Sequence, residues 1–120
     1  MKVNDYGLMV ATLLKNPELI KHELSAKSAN LLHVAVGIAG EAGEILELAK
    51  KVVINSHQPN PEKFLAELGD IEFYLEAMRQ HFGFTRDQVL QANIDKLQHR
   101  YDGVYSDRAS VARIDMMVEK

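Results

Sequence analysis

The chain contains no cysteine, only three prolines among 120 residues, and 7% aromatic residues. Without cysteine there are no disulfides, thiolate metal sites or cysteine nucleophiles. Three prolines and seven glycines exclude a collagen-like or linker-like chain. No apolar run approaches the roughly 18 residues of a membrane helix, and the first residues lack the basic-then-apolar pattern of an export signal. A cytoplasmic protein with no membrane partner is expected. With 47% hydrophobic and 26% charged residues, the chain can bury enough apolar surface to offset its ordering entropy. Its length suits one domain with one modest core.

Charge is also scarce in one sense, because no basic stripe exists. The net charge is −3, so a nucleic-acid duplex is not an expected partner. The acids are concentrated instead. Residues 41–76 hold eight acids and three bases, a balance of −5, and the remainder sums to +2. An acidic centre of this kind points to cations, or to phosphates bridged by cations.

Hydrophobic periodicity and punctuation predict an all-α fold with no strand. Asn4 or Asp5 opens a first helix that Asn16-Pro17 ends, and a short second helix reaches about Leu24. A long helix is expected over 28–54, opened by Ser28. Leu31, Leu32, Ala35, Ile38, Ala42, Ile45, Leu48, Ala49 and Val52 recur along it at helical intervals. Gly37, Gly40 and Gly43 interrupt that stripe, each at a cost of about 1 kcal/mol against Ala. Close packing against a neighbouring helix or a ligand would account for them, and a kink near Gly40 is the alternative. Residues 55–61 form a loop. Asn60 and Pro61 then start a helix to about Phe82, which offers Phe64, Leu65, Leu68, Ile71, Phe73, Leu75 and Met78 for packing and ends at Gly83. Thr85 and Gln88 suit a capping box for a helix from 86 to about Tyr101. Asp102-Gly103 breaks it, and Ser106 opens a last short helix.

Glu41 and Glu44 lie three residues apart on the long helix, as do Glu67 and Asp70 on the next. At about 100° per residue, each pair points its carboxylates to one face. An antiparallel return through the loop can bring the two pairs opposite each other. Two readings stay open on spacing alone: solvated acids on two surface helices, or oxygen ligands of a hard cation such as Mg²⁺ or Mn²⁺.

The runs Gly37-Ile-Ala-Gly-Glu-Ala-Gly-Glu-Ile45, Glu67-Leu-Gly-Asp-Ile71 and Asn93-Ile-Asp-Lys-Leu97, followed by Arg100-Tyr101, resemble the MazG-type nucleotide pyrophosphohydrolases. These belong to the all-α nucleoside-triphosphate pyrophosphatase superfamily, and the likeness extends from about His33 to about Asp107. It departs at Asp102-Gly103, where relatives often carry proline. The resemblance implies a four- to five-helix bundle of the all-α NTP pyrophosphatase type, packed antiparallel and assembled as a homodimer or homotetramer. It implies a single domain over 1–120, with variable N-terminal helices at 1–27, a catalytic core at 28–101 and a tail at 102–120.

The implied activity is Mg²⁺-dependent cleavage of a nucleoside triphosphate to a monophosphate and pyrophosphate, with Mn²⁺ as a possible substitute. Carried over, Glu41, Glu44, Glu67 and Asp70 hold the metal, and Glu41 or Glu44 takes the proton of the attacking water. Asn93, Lys96 and Arg100 share one helical face suited to phosphate oxygens, with Tyr101 beside them. Lys50 or Lys51 reaches the phosphates or serves the helix C-terminus. His33 is either a contact for base or sugar or a partly buried structural histidine, and Phe73 and Tyr74 either stack a base or pack the core. A narrower superfamily enzyme (a dUTPase, dCTPase or phosphoribosyl-ATP pyrophosphohydrolase) and a non-catalytic helical nucleotide-binding module are the alternatives.

Overall fold

Small polar side chains, prolines and one left-handed glycine set the limits of the helices. The computed structural model describes residues 1–101 and 106–112. They form a 3-10 turn, Val3–Asp5, and six α-helices: α1 Tyr6–Leu13, α2 Pro17–Glu23, α3 Ala26–Val53, α4 Pro61–Phe82, α5 Arg86–Tyr101 and α6 Asp107–Ala112. No strand occurs among the described residues, and no helix there is long and apolar enough to cross a membrane. The expected all-α class is therefore observed.

Most of the expected caps are in place. Asn16 Oδ1 accepts the Glu18 N–H at 2.9 Å, with Pro17 in the first turn. Asn60 Oδ1 accepts the Glu62 N–H at 3.1 Å, with Pro61 in the same role. Gly83 ends α4 at φ 76°, in the left-handed region that glycine enters without a Cβ clash. Thr85 and Gln88 bond reciprocally, at 2.8 and 3.1 Å, as a capping box. The Ala109 N–H donates to Ser106 Oγ at 3.1 Å ahead of α6. Asp5 stands at the α1 N-cap without a side-chain cap bond.

One boundary differs from expectation. α3 starts at Ala26 rather than Ser28, because Ser25 lies ahead of it and bonds with Ser28: each backbone N–H reaches the other's hydroxyl, at 2.8 and 3.2 Å. Ser28 is thus the inner member of a box and not the cap itself. The expected break at Asp102-Gly103 lies outside the described residues.

The chain divides into two compact units, Met1–His33 and Val34–Lys120, with the division inside α3. The first unit holds the 3-10 turn, α1, α2 and the opening turns of α3. In the second unit, α3 and α4 pack against each other. Val34 is its deeply buried residue, 2% exposed, and Ile38, Ile45, Leu48, Ala49 and Val52 continue the half-buried stripe. From α4, Phe64, Ile71, Tyr74, Leu75 and Met78 are half-buried. Leu32, Ala35 and Ala42 on α3, and Leu65, Leu68 and Phe73 on α4, were expected to pack but are exposed. Each helix buries a stripe narrower than its apolar content.

Of the three glycines within α3, only Gly37 is crowded. A Cβ there would collide with the ring of Tyr74, whereas Gly40 and Gly43 face open space. Close packing against the next helix therefore explains the first glycine and not the others. On α4, Glu76 accepts bonds from Gln80 Nε2 and from Arg79 Nε, both at 2.9 Å. These donors, Gln80 first and Arg79 second, hold its carboxyl below the ordinary 4.5.

Two outcomes are expected. Gly37→Ala should destabilise the protein by about 1–3 kcal/mol because it overpacks the helix pair. Gly69→Ala, at an α4 position with open space, should stabilise by up to about 1 kcal/mol; thermal denaturation of both variants checks the contrast. Because Glu76 has a depressed pKa in the folded chain, its stabilising effect is present above pH 4.5 and fades as pH falls through the folded value. The melting-temperature gap between wild type and Glu76→Leu should accordingly narrow on acidification, as melts across pH 2–6 would read.

Candidate metal centre

The contact between Gly37 and Tyr74 fixes how α3 and α4 face each other. With no side chain at Gly37, the ring of Tyr74 lies directly on the α3 backbone. Four residues further along α3, about 6 Å of rise, comes Glu41. Its neighbours across the helix pair are Asp70 and Glu67, which precede Tyr74 by four and seven residues. Residue numbers rise on one helix as they fall on the other, so the pair is antiparallel. The three-residue spacing of Glu67 and Asp70 places both on the side of α4 that meets Glu41.

Glu41, Glu67 and Asp70 each offer a carboxylate oxygen, and these oxygens lie within 4.8 Å of one another. Glu41 and Glu67 are half-buried, and Asp70 is exposed. A hydrogen bond with Glu67 is the largest influence raising the Glu41 carboxyl above its ordinary 4.5. Burial and the negative charges of Asp70, Glu67 and Glu44 push it the same way. The four acids expected to converge therefore divide. Three meet, while Glu44 is exposed and stands outside the group, although its charge is felt at Glu41.

The donor set fits a hard divalent cation. All its ligand atoms are carboxylate oxygens, which suit Mg²⁺ or Mn²⁺. Oxygens around one Mg²⁺, at about 2.0–2.1 Å each, lie no more than about 4.2 Å apart. The three carboxylate oxygens, all within 4.8 Å of one another, come close to that spacing. Exposed acidic groups also cluster without an ion, so the geometry permits a metal site without specifying it.

The other candidate residues fall in four places. Asn93 and Lys96 are exposed on α5 and border a shallow depression of about 370 Å³ with Val89, Leu90 and Ala92. Arg100, half-buried at the end of α5, has its guanidinium carbon 5.7 Å from the centre of the Tyr101 ring, in cation–π range. Lys50 and Lys51 occupy the last turn of α3. Lys50 Nζ is 3.8 Å from Glu47 Oε1. His33 is exposed on α3, eight residues before Glu41, and belongs to the N-terminal unit.

Of the two aromatic residues after Asp70, Tyr74 is committed to packing on Gly37, while Phe73 is exposed and meets the Tyr74 ring edge-on at 5.1 Å between centres. The register-setting role of Tyr74 is what sequence reasoning missed. Its signal was present in a glycine on an apolar helical stripe with an aromatic on the facing helix.

Comparison with known proteins adds one relative. Over 76 residues the chain is 36% identical to the Gene 37 protein of Mycobacterium phage L5, covering 60% of this chain and 67% of the phage protein. The chain belongs to the family of that phage protein. No family model matches the chain, and no solved structure matches it. Membership in the gene 37 family carries no statement about chemistry, so the carboxylate geometry remains the functional lead.

A metal test needs no substrate. Mg²⁺ at tenfold its Kd should stabilise the folded chain by about 1.4 kcal/mol, read as a rise of several degrees in Tm. Asp70→Asn should abolish that rise and, by removing one of the crowded charges, melt above wild type in chelator. A variant that keeps the full Mg²⁺ response would remove Asp70 from the ligand set.

Proposed function

We propose that this chain is a Mg²⁺-dependent nucleoside triphosphate pyrophosphohydrolase of the MazG type, acting in the cytoplasm as a homodimer or homotetramer. The observation that carries the proposal is the grouping of Glu41, Glu67 and Asp70 by two antiparallel helices. These acids belong to the runs that resemble the MazG-type enzymes, in the same order along the chain. The resemblance and the geometry are independent supports, because a motif can be matched without its side chains meeting.

In this reading Glu41, Glu67 and Asp70 hold the ion, with Glu44 one turn on from Glu41. Bound Mg²⁺ supplies charge neutralisation for the triphosphate and a more acidic water. The chain's own groups do the rest. One carboxylate at the site accepts a proton from the attacking water. Glu44, exposed and outside the three-acid group, and Glu41, which would do so while helping to hold the ion, are the two candidates. The water oxygen bonds to the attacked phosphorus as the α–β anhydride bond breaks, and the products are a nucleoside monophosphate and pyrophosphate. Lys96 and Arg100 offer charge to the phosphate oxygens, Arg100 through a planar fork, and Asn93 adds neutral donors. Tyr101 sits against Arg100 and limits its rotamers.

Pyrophosphate release across canonical and modified triphosphates, with and without Mg²⁺, tests the reading. Mg²⁺-dependent turnover of several triphosphates is expected. Turnover confined to dUTP, dCTP or phosphoribosyl-ATP would replace it with the narrower enzyme, and binding without turnover would replace it with the binding module. Asp70→Asn and Glu44→Ala should each lower turnover by about 100-fold or more, the scale of losing one electrostatic stabiliser, with the far-UV helical signal kept. Retained turnover in Asp70→Asn would defeat the metal assignment.

A further inference from the structure

The turn between α4 and α5 leaves little freedom to the residue at its centre. The Gly83 N–H donates to the Gln80 carbonyl at 3.3 Å and the Phe84 N–H to the Arg79 carbonyl at 2.9 Å, which closes α4 in a Schellman motif. One residue later the capping box of Thr85 and Gln88 opens α5. The Phe84 backbone is therefore pinned from both sides. An apolar residue in its position ordinarily packs back on the last turns of the helix it follows, but the matching place on α4 is held by Arg79. Phe84 lies on Phe82 instead, with ring centres 5.7 Å apart and planes at 25°, and it stays 52% exposed.

Phe84 walls one end of a hollow of about 280 Å³, whose other sides are Gln88, Val89 and Ala92. Val89 and Ala92 also line the depression bordered by Asn93 and Lys96, so the two form one trough along α5. At about 100° per residue, its five helical residues fall within about 140° of the circumference. The trough is aromatic and apolar at the turn and cationic at its far end. Among the described residues Lys96 pairs with no acid and the Asn93 side chain makes no hydrogen bond. The neighbouring acid, Asp95, accepts from Gln91 Nε2 at 2.9 Å instead.

Gln88 gives the hollow a chemical preference. Its Oε1 accepts the Thr85 N–H at 2.8 Å, and only the oxygen can accept there, so the capping bond fixes which way the amide is turned. The Nε2 hydrogens are what it has left to offer. A flat ring with acceptor atoms on its edge, as every nucleobase carries, suits an aromatic face with a donor beside it. A plain hydrocarbon ring would leave that donor unmatched.

We propose that this trough binds the nucleoside end of the triphosphate. The base lies on Phe84 with its edge toward Gln88 Nε2, the sugar crosses Ala92, and the phosphates reach Asn93 and Lys96. Gln88 and Lys96 are about 12 Å apart in helical rise, a span that one extended nucleotide bridges. The assignment rests on the reading above that Asn93 and Lys96 take phosphate oxygens, and it adds the groups that recognise the base.

Calorimetric titration of the full chain with Mg²⁺ and the α,β-imido analogues of the four deoxynucleoside triphosphates, beside inorganic tripolyphosphate, tests the site. At least one analogue should bind about fivefold or more tighter than tripolyphosphate, the scale of one base stacked on an aromatic side chain. Phe84→Ala should remove that advantage and Phe84→Trp should keep it. Gln88→Glu separates recognition from folding, because glutamate serves a capping box as well as glutamine does. The melting temperature should hold, while an acceptor in place of a donor weakens the analogue about fivefold or more and tripolyphosphate little. If Gln88 served the cap alone, both affinities would stay as they are. Equal binding of analogue and tripolyphosphate by wild type, or a base advantage that survives Phe84→Ala, would overturn the site. Survival together with altered sedimentation of Phe84→Ala would give the hollow to another protein chain. Base-dependent binding without pyrophosphate release would leave the site standing and remove the enzyme. Mg²⁺-dependent release with no base advantage would do the reverse, and a chain that binds neither ligand would lose both.

Discussion

The placement of an aromatic ring on a bare stretch of helix governs everything described for the second unit. Tyr74 against Gly37 sets both the distance between α3 and α4 and the offset of one along the other. A helix advances about 1.5 Å per residue, so a slip of one turn would carry Glu41 some 5 Å from Asp70 and dissolve the carboxylate group. Neither the loop nor the caps can define that offset so closely. The cost of a glycine in mid-helix is repaid in register.

That register produces an unfavourable arrangement by ordinary standards of folding. Glu41 and Glu67 share a hydrogen bond, and the charges of Asp70 and Glu44 add to the pressure on Glu41. A chain optimised only for stability would separate these acids or match them with bases, as it does on the outer side of α4, where Arg79 and Gln80 hold Glu76. The same helix thus shows acids that are matched and acids that are crowded. The crowded ones lie in the runs that resemble a hydrolase family.

Much of the helical layout was legible in the residues because capping is local chemistry. Asn60-Pro61, Gly83, Thr85 with Gln88, and Ser106 each act within four residues, and each does in the structure what its type suggests. Ser28 misled for a local reason too: the reciprocal bonding of Ser25 with Ser28 moves the start of α3 back. What the pattern did not reveal was which apolar residues would be covered. Leu65, Leu68 and Phe73 belong to the hydrophobic content of α4 but not to its buried stripe, and periodicity cannot separate the two when apolar residues occupy more than one face. The site was legible to a similar depth. Spacing placed Glu67 and Asp70 on one face and allowed the pair Glu41 and Glu44 to stand opposite them. The exclusion of Glu44 from the group depends on helix rotation, which only the Tyr74 contact determines.

The connector between α3 and α4 gains freedom from this arrangement. Since the alignment of the carboxylates is imposed by the packing of Tyr74 on Gly37, residues 54–59 need only span the gap. The entropy of closing such a segment grows slowly with its length. Ser56, at φ 57°, is a local accommodation that another sequence could replace. The turn is therefore the natural place for the molecule to accept inserted sequence, a reporter or a change of length, without disturbing the carboxylate group.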